Sequence, residues 1–194
     1  MLVRPAFTHS LSFPSTARRT IRRLGLRPTR WALTVRVASQ TMQLHEHSPA
    51  AGGHDGIGYE PRQRYVISTS SFGLGQVMNS NRTPLGLHRV ARKVGAGQPI
   101  GTIFRSRQPI GLTWQGQPQA SIVHRILWLE GVEPGFNRGG DVDTFNRFIY
   151  IHGFGDETTL GRPKSHGCIH VAAADLLPLF DRLPVGTLVW IAER

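Results

Sequence analysis

Short apolar runs separated by glycine and proline recur along this chain of 194 residues, which contains 22 glycines and 13 prolines. Because strands in folded proteins are short, runs of this kind predict strands joined by turns. A chain of this length can bury a core without disulfides, and its single cysteine, Cys168, cannot form an intramolecular one. We therefore expect a mainly β protein with one folded domain.

Several segments carry the pattern of strands. Residues 31–45 alternate apolar and polar positions and change parity at Ser39-Gln40, as a hairpin does. The other predicted strands cover residues 64–69, 86–94, 121–130, 148–152 and 186–191. One helix is predicted over residues 172–183, where four apolar side chains share a face. Residues 95–116 are rich in Gly, Gln and Pro, and we expect a surface loop there.

Positive charge is concentrated near the N-terminus. Eight of the 23 basic residues lie in residues 1–54, where Glu46 is the only acid. Residues 1–30 lack the apolar core of a signal peptide, and no run is long enough for a transmembrane helix. We predict that residues 1–30 are a basic, disordered extension, that residues 31–194 are the folded domain, and that the protein does not insert stably into a membrane. No aromatic residues alternate with these arginines, as they do in many nucleic-acid-binding segments, so nucleic acid is not an expected partner.

The only cysteine lies between two histidines in the segment Ser165-His166-Gly167-Cys168-Ile169-His170, and His152 ends an apolar run upstream. A thiol becomes a good nucleophile when an imidazole within hydrogen-bond reach takes its proton. Gly167 lets the backbone approach closely, so the N–H groups of Gly167 and Cys168 are candidate donors to an oxyanion. The pattern favours acyl transfer, with Cys168 as nucleophile and His152 as base. The thiol proton of Cys168 could pass to His152 before attack, which would give a resting ion pair, or during attack. The sequence leaves both possibilities open.

A zinc site is the main alternative. His166, Cys168 and His170 would share one face of an extended strand, and His152 would complete a tetrahedron. Gly167 and the helical pattern that begins near residue 171 interrupt such a strand, so we favour the nucleophile and expect no cofactor. An activated thiol should also be alkylated by iodoacetamide faster than free cysteine near neutral pH.

The segment from His152 to Cys168 resembles the active-site signature of the YkuD family of L,D-transpeptidases. That signature is a His-Gly on a strand, a loop, and a Ser/Thr-(His or Gly)-Gly-Cys motif. The opening hairpin, the strand ending Ser68-Thr69-Ser70, the turn Arg82-Thr83-Pro84-Leu85-Gly86 and the closing strand are also similar, so that the resemblance covers about residues 31–192. It implies a β-sandwich of the L,D-transpeptidase (YkuD) type with one or two short helices.

The resemblance also implies an activity. Cys168 would attack a peptidoglycan stem tetrapeptide between the position-three diamino acid and the terminal D-Ala, forming a thioester. The acyl group would pass to an amine of another stem in a 3→3 cross-link, to a lipoprotein lysine or to a free amino acid. The implied location is extracytoplasmic, in the periplasm or cell wall, and carbapenems would be inhibitors. A YkuD-type hydrolase that releases D-Ala or a lipoprotein is an alternative, and a non-catalytic peptidoglycan-binding module is another.

Roles for the neighbouring residues follow from the same resemblance. The carbonyl of Gly153 would orient His152. Ser165 would orient His166 or bond the backbone, and His166 would support the loop rather than transfer protons.

The candidate substrate-binding residues are those that can meet stem carboxylates: Arg138, Arg147, Arg162 and Lys164. His170 is a further candidate, because it occupies the place where family members usually carry an arginine. That replacement leaves the nucleophile and base unchanged and puts the arginine's anchoring role in doubt.

Overall fold

The computed structural model describes residues 12–194. Two α-helices lie in this range, α1 (Ser15–Arg23) and α2 (Ala173–Arg182). Short 3-10 turns cover Pro49–Asp55, Gly140–Val142 and Glu157–Thr159. The strands are β1 (Trp31–Arg36), β2 (Thr41–His47), β3 (Tyr59–Ser68), β4 (Gly86–Val94), β5 (Thr102–Arg105), β6 (Gln108–Leu112), β7 (Val123–Gly131), β8 (Tyr150–Gly153), β9 (Ile169–Val171) and β10 (Leu188–Ala192).

The strands form one sheet that closes on itself. Its order is β4-β10-β1-β2-β3-β9-β8-β7, and an additional antiparallel pairing joins β7 to β4. The β5–β6 hairpin continues from β7 outside this ring. Closure pairs the edges that an open sheet would expose. The predicted fold class, a mainly β protein of the YkuD sandwich type with two short helices, is confirmed.

The core lies inside the closed sheet. Side chains that alternate along the strands, such as Leu33, Leu127 and Val189, point inward and are fully buried. Helix α2 covers this core with Leu176, Leu179, Phe180 and Leu183. The predicted helix therefore forms and buries the apolar face that its spacing indicated.

Helix α1 packs against the outer face of the sheet. Phe13, Ala17 and Ile21 are buried in a second cluster that includes Leu87 and Leu188. The prediction that residues 1–30 are disordered is therefore wrong over α1, because Ala17 and Ile21 of the helix and Phe13 just before it recur at a spacing of four and find an apolar surface. Residues 1–11 lie outside the described residues. Neither helix of the described chain has the length and apolar character that a membrane span requires.

The predicted loop over residues 95–116 is also wrong in part. Residues 102–112 form the β5–β6 hairpin, and its turn residues Ser106 and Arg107 both have positive φ, 49° and 66°. Two-residue hairpin turns of this type normally use Asn-Gly or Asp-Gly, so the sequence lacked the usual hairpin signal.

Candidate active site

Two adjacent parallel strands bring the candidate residues together. In the pairing of β8 with β9, Ile151 lies opposite Ile169 and His152 opposite His170. Because side chains alternate along a strand, His152 and His170 share one face, and Cys168 directly precedes β9 on the same parity. The result is a cleft of about 260 Å³ lined by Ser121, Ile122, His152, Phe154, Lys164, Ser165, His166, Cys168 and His170.

His152 is buried and held in one orientation. Its Nδ1–H donates to the carbonyl oxygen of Gly153 at 2.7 Å, so in the neutral ring Nε2 carries the lone pair. Burial lowers the pKa of His152 to about 4, against an opposing effect of that hydrogen bond. A side chain at Gly153 would collide with His124, since a Cβ there would lie 2.5 Å from His124 Cδ2. The neutral imidazole is therefore a positioned proton acceptor.

Cys168 rests as a neutral thiol. Burial raises its pKa to about 11, while the N–H of Tyr150, 3.4 Å from Sγ, and the charge of Arg147 act in the opposite direction. The thiol donates to the carbonyl of Phe148 at 3.5 Å. A neutral thiol and a neutral imidazole in the same cleft favour proton transfer during attack rather than a resting ion pair. Because the thiolate is the form that iodoacetamide alkylates, the raised pKa of Cys168 predicts slow alkylation near neutral pH, in contrast to the expectation from the sequence.

The turn before Cys168 is held by Ser165. The hydroxyl of Ser165 donates to the carbonyl of Cys168 at 2.6 Å and accepts from the N–H of Gly167 at 3.2 Å. Gly167 has φ of +120°, which a residue with a Cβ rarely adopts. Since its N–H is already bonded, the structure does not offer Gly167 as an oxyanion donor. Within residues 12–194, the N–H groups of His166 and Cys168 have no acceptor, which leaves them as the candidate donors.

A neighbouring segment supports this turn. Thr83 Oγ1 donates to the carbonyl of Gly167 at 3.0 Å and accepts from the N–H of Ser70 at the same distance. The N–H of Ser71 donates to the carbonyl of Ser165. The sequence motifs around Ser70 and Thr83 are similar to those of the family, but the sequence predicted no role for either residue. They hold the backbone on which the cysteine sits.

The two other histidines are placed differently. His166 is exposed and lies 5.3 Å from the ring of Phe72. His170 is buried, stacks on Phe154 at 4.3 Å and meets His152 edge to face at 4.8 Å. Burial lowers the pKa of His170 to about 3, so it brings no positive charge to the cleft. Among the described residues, no group of three or more His, Cys, Asp or Glu is arranged so that it could hold a metal ion.

The predicted carboxylate-binding residues are only partly at the cleft. Lys164 lines the cleft and is exposed. Arg162 is also exposed, but it lines a separate small cavity formed by residues 156–164 and donates to the carbonyl of Thr158. Arg147 is half-buried and donates to the carbonyls of Gly75 and Arg82 at 3.1 and 2.6 Å. Arg147 therefore holds the loop beside the cleft, and Arg138 lies in an exposed turn away from it.

Comparison with known proteins places this site in a family. A family model for the YkuD L,D-transpeptidase catalytic domain matches residues 35–191, which is most of the chain. The chain belongs to the YkuD family. The His152–Cys168 segment lies inside the matched range, at the pairing of β8 and β9. No curated protein sequence matches the chain.

Solved structures show the same YkuD fold at low sequence identity. The chain is similar to Bd1075 of Bdellovibrio bacteriovorus, with a TM-score of 0.53 and 13% identity over 86% of this chain and 49% of the other. An Enterococcus faecium L,D-transpeptidase C442S mutant aligns with a TM-score of 0.49 and 15% identity, over 85% of this chain and 50% of that protein. L,D-transpeptidase 3 of Mycobacterium tuberculosis, in complex with a faropenem-derived adduct, aligns with a TM-score of 0.49 and 16% sequence identity. The alignment covers 84% of this chain and 60% of that protein. The chain thus spans about half of the length of these proteins.

Proposed function

We propose that this protein is a peptidoglycan L,D-transpeptidase with Cys168 as nucleophile and His152 as base. One observation carries the proposal: in a YkuD-family domain, the thiol and the imidazole line the same cleft, and Gly153 holds the imidazole with Nε2 as proton acceptor. No cofactor is required, because acyl transfer needs only a nucleophile, a base and oxyanion donors.

The reaction proceeds through a thioester. Sγ of Cys168 attacks the carbonyl carbon of the amide between the position-three diamino acid and the terminal D-Ala while His152 takes the thiol proton. The N–H groups of Cys168 and His166 donate to the oxyanion. His152 then gives the proton to the leaving nitrogen, D-Ala departs, and the acyl group remains on Sγ. An acceptor amine attacks the thioester, loses its proton to His152 and frees the thiol.

The partners follow from this reaction. The donor is a stem peptide of peptidoglycan, and the acceptor is the amine of a second stem, a lipoprotein lysine or an amino acid. The place of action is extracytoplasmic, in the periplasm or cell wall, where peptidoglycan lies. Lys164 lines the cleft, Arg162 lines a neighbouring cavity, and both side chains are exposed and could meet stem carboxylates. Their charges attract such groups at modest strength, because exposed ion pairs contribute little.

Intact-protein mass spectrometry with a defined stem tetrapeptide tests the proposal. We expect a thioester on Cys168 equal to the tetrapeptide minus D-Ala, and no adduct on Cys168→Ala. His152→Ala should slow acylation by roughly 10²–10⁴-fold, the usual contribution of a positioned base. His166→Ala is the matched control: it removes an exposed imidazole from the same cleft and should slow acylation much less.

The same assay separates the alternatives. A carbapenem should leave a stable adduct on Cys168, because ring opening leaves no amine to be expelled. If neither the stem nor the carbapenem forms an adduct, the transpeptidase proposal is wrong, and stem binding that survives in Cys168→Ala would indicate a binding module. If the thioester forms but an added amine never intercepts it, the protein is a hydrolase instead.

A further inference from the structure

A second cavity adjoins the cleft and has no part in the reaction above. Its volume is about 300 Å³, and its lining includes Thr113, Trp114, His124, Phe154 and Glu157. Phe154 lines both cavities, so they are neighbours. A ligand that bound in both would pass over Phe154.

Trp114 forms an exposed aromatic platform in this cavity. Its side chain is 65% exposed, yet its ring lies directly on the backbone of Gly101: a Cβ there would be 3.0 Å from Trp114 Cε3 and closer still to Cζ3. The N–H of Thr113 donates to the carbonyl of Gly101, which ties the two segments together. The indole is therefore packed on one side and open on the other. A large apolar surface that is both exposed and fixed in position indicates a binding role.

Polar groups stand around this platform. The N–H of Gly101 donates to His124 Nδ1 at 2.8 Å, so the neutral ring carries its proton on Nε2, which is a donor. Burial lowers the pKa of His124, and the nearby carboxylate of Glu157 acts in the opposite direction. Glu157 Oε1 accepts from the N–H of Ala173 at 2.6 Å, which fixes the carboxylate at the rim of the cavity. The cavity thus combines an open aromatic face, a hydrogen-bond donor and an anionic acceptor.

We propose that this cavity binds a neutral saccharide, with one pyranose ring stacked on Trp114 and its hydroxyls bonded to His124 and Glu157. A pyranose has a flat face of C–H groups and a rim of hydroxyls that donate and accept, which matches an aromatic platform with polar groups at its edge. The Glu157 carboxylate disfavours an anionic ligand at the same place. If the proposed function holds, the saccharide is the glycan strand that carries the stem peptides, and sugar and stem occupy adjacent cavities.

Isothermal titration with chitohexaose, a neutral oligosaccharide of N-acetylglucosamine, tests the proposal on the full chain. We expect saturable binding that Trp114→Ala weakens by about fivefold, since stacking on one aromatic ring is worth on the order of 1 kcal/mol. Trp114→Phe should restore most of the affinity, because it keeps an aromatic face. Phe136→Ala is the matched control: Phe136 is also an exposed aromatic, at 43%, but it lines neither cavity.

The outcomes are separable from those of the transpeptidase assay, because binding requires no turnover. Absence of saturable chitohexaose binding, or equal affinity in Trp114→Ala, overturns the saccharide site and leaves the thioester result untouched. Binding that depends on Trp114 while Cys168 forms no thioester supports the site and rejects the proposed activity. As a second measurement, chitohexaose should shift the indole N–H resonance of Trp114 and leave that of Trp31 in place.

Discussion

Burial determines the protonation states of the two residues at the centre of the cleft. The pKa of His152 is lowered to about 4 and that of Cys168 is raised to about 11, in each case mainly by burial. Both groups are therefore neutral between these values. In the proposed reaction, His152 is therefore ready as a base and the thiolate forms only when a substrate carbonyl is present to receive it.

The pH dependence of acylation tests this arrangement. We expect kcat/KM for a stem tetrapeptide to rise with pH through about 4, as His152 loses its proton, and then to stay level to about pH 10. Alkylation of Cys168 by iodoacetamide near pH 7 should be slower than that of free cysteine and should accelerate as the pH approaches 11. A decline in kcat/KM above about pH 8, together with fast alkylation at pH 7, would instead indicate a thiolate–imidazolium pair.

Helix α1 makes a prediction at the scale of a secondary-structure element. Ile21 is fully buried between α1 and the outer face of the sheet. Ile21→Ala should lower the free energy of unfolding by about 2–5 kcal/mol, as other buried Ile truncations do. Thr16→Ala, at an exposed position of the same helix, should change it by less than about 0.5 kcal/mol. Urea denaturation measures both, and equal stabilities would show that α1 does not pack on the domain in solution.

The elements that sequence reasoning found and missed differ in a physical way. The β1–β2 hairpin and α2 each carry several apolar residues at one period and pack into the main core, so their sequence patterns predicted them correctly. Helix α1 has only two apolar residues, Ala17 and Ile21, among four arginines, and its helical state depends on a surface made by distant strands. In the site, the Cys168 and His152 pair was predicted, whereas the support from Thr83 depends on an interaction 84 residues away that no local pattern encodes.

At the scale of the whole molecule, the closed sheet buries several histidines. His45, His88, His152 and His170 are all inside the protein, and burial lowers their pKa values to about 3 or 4. In the unfolded chain each of them titrates near 6.5. Each buried imidazole therefore remains neutral in the folded state over a pH range in which it would be charged in the unfolded chain.

This difference makes the folded state sensitive to mild acid. Between about pH 6.5 and pH 4 the unfolded chain binds more protons than the folded protein, up to about four near pH 5, so these histidines make the free energy of unfolding fall as the pH falls. Above about pH 7.5 these histidines are neutral in both states and contribute no slope. Urea denaturation at pH 8, 7, 6 and 5 should therefore show a stability that is level at first and then declines steeply. His45→Gln removes one of the four sites and should reduce the slope by about a quarter. A stability that stays constant down to pH 5 would mean that these imidazoles accept protons within the folded protein, and that the closed sheet is more open to water than its packing indicates.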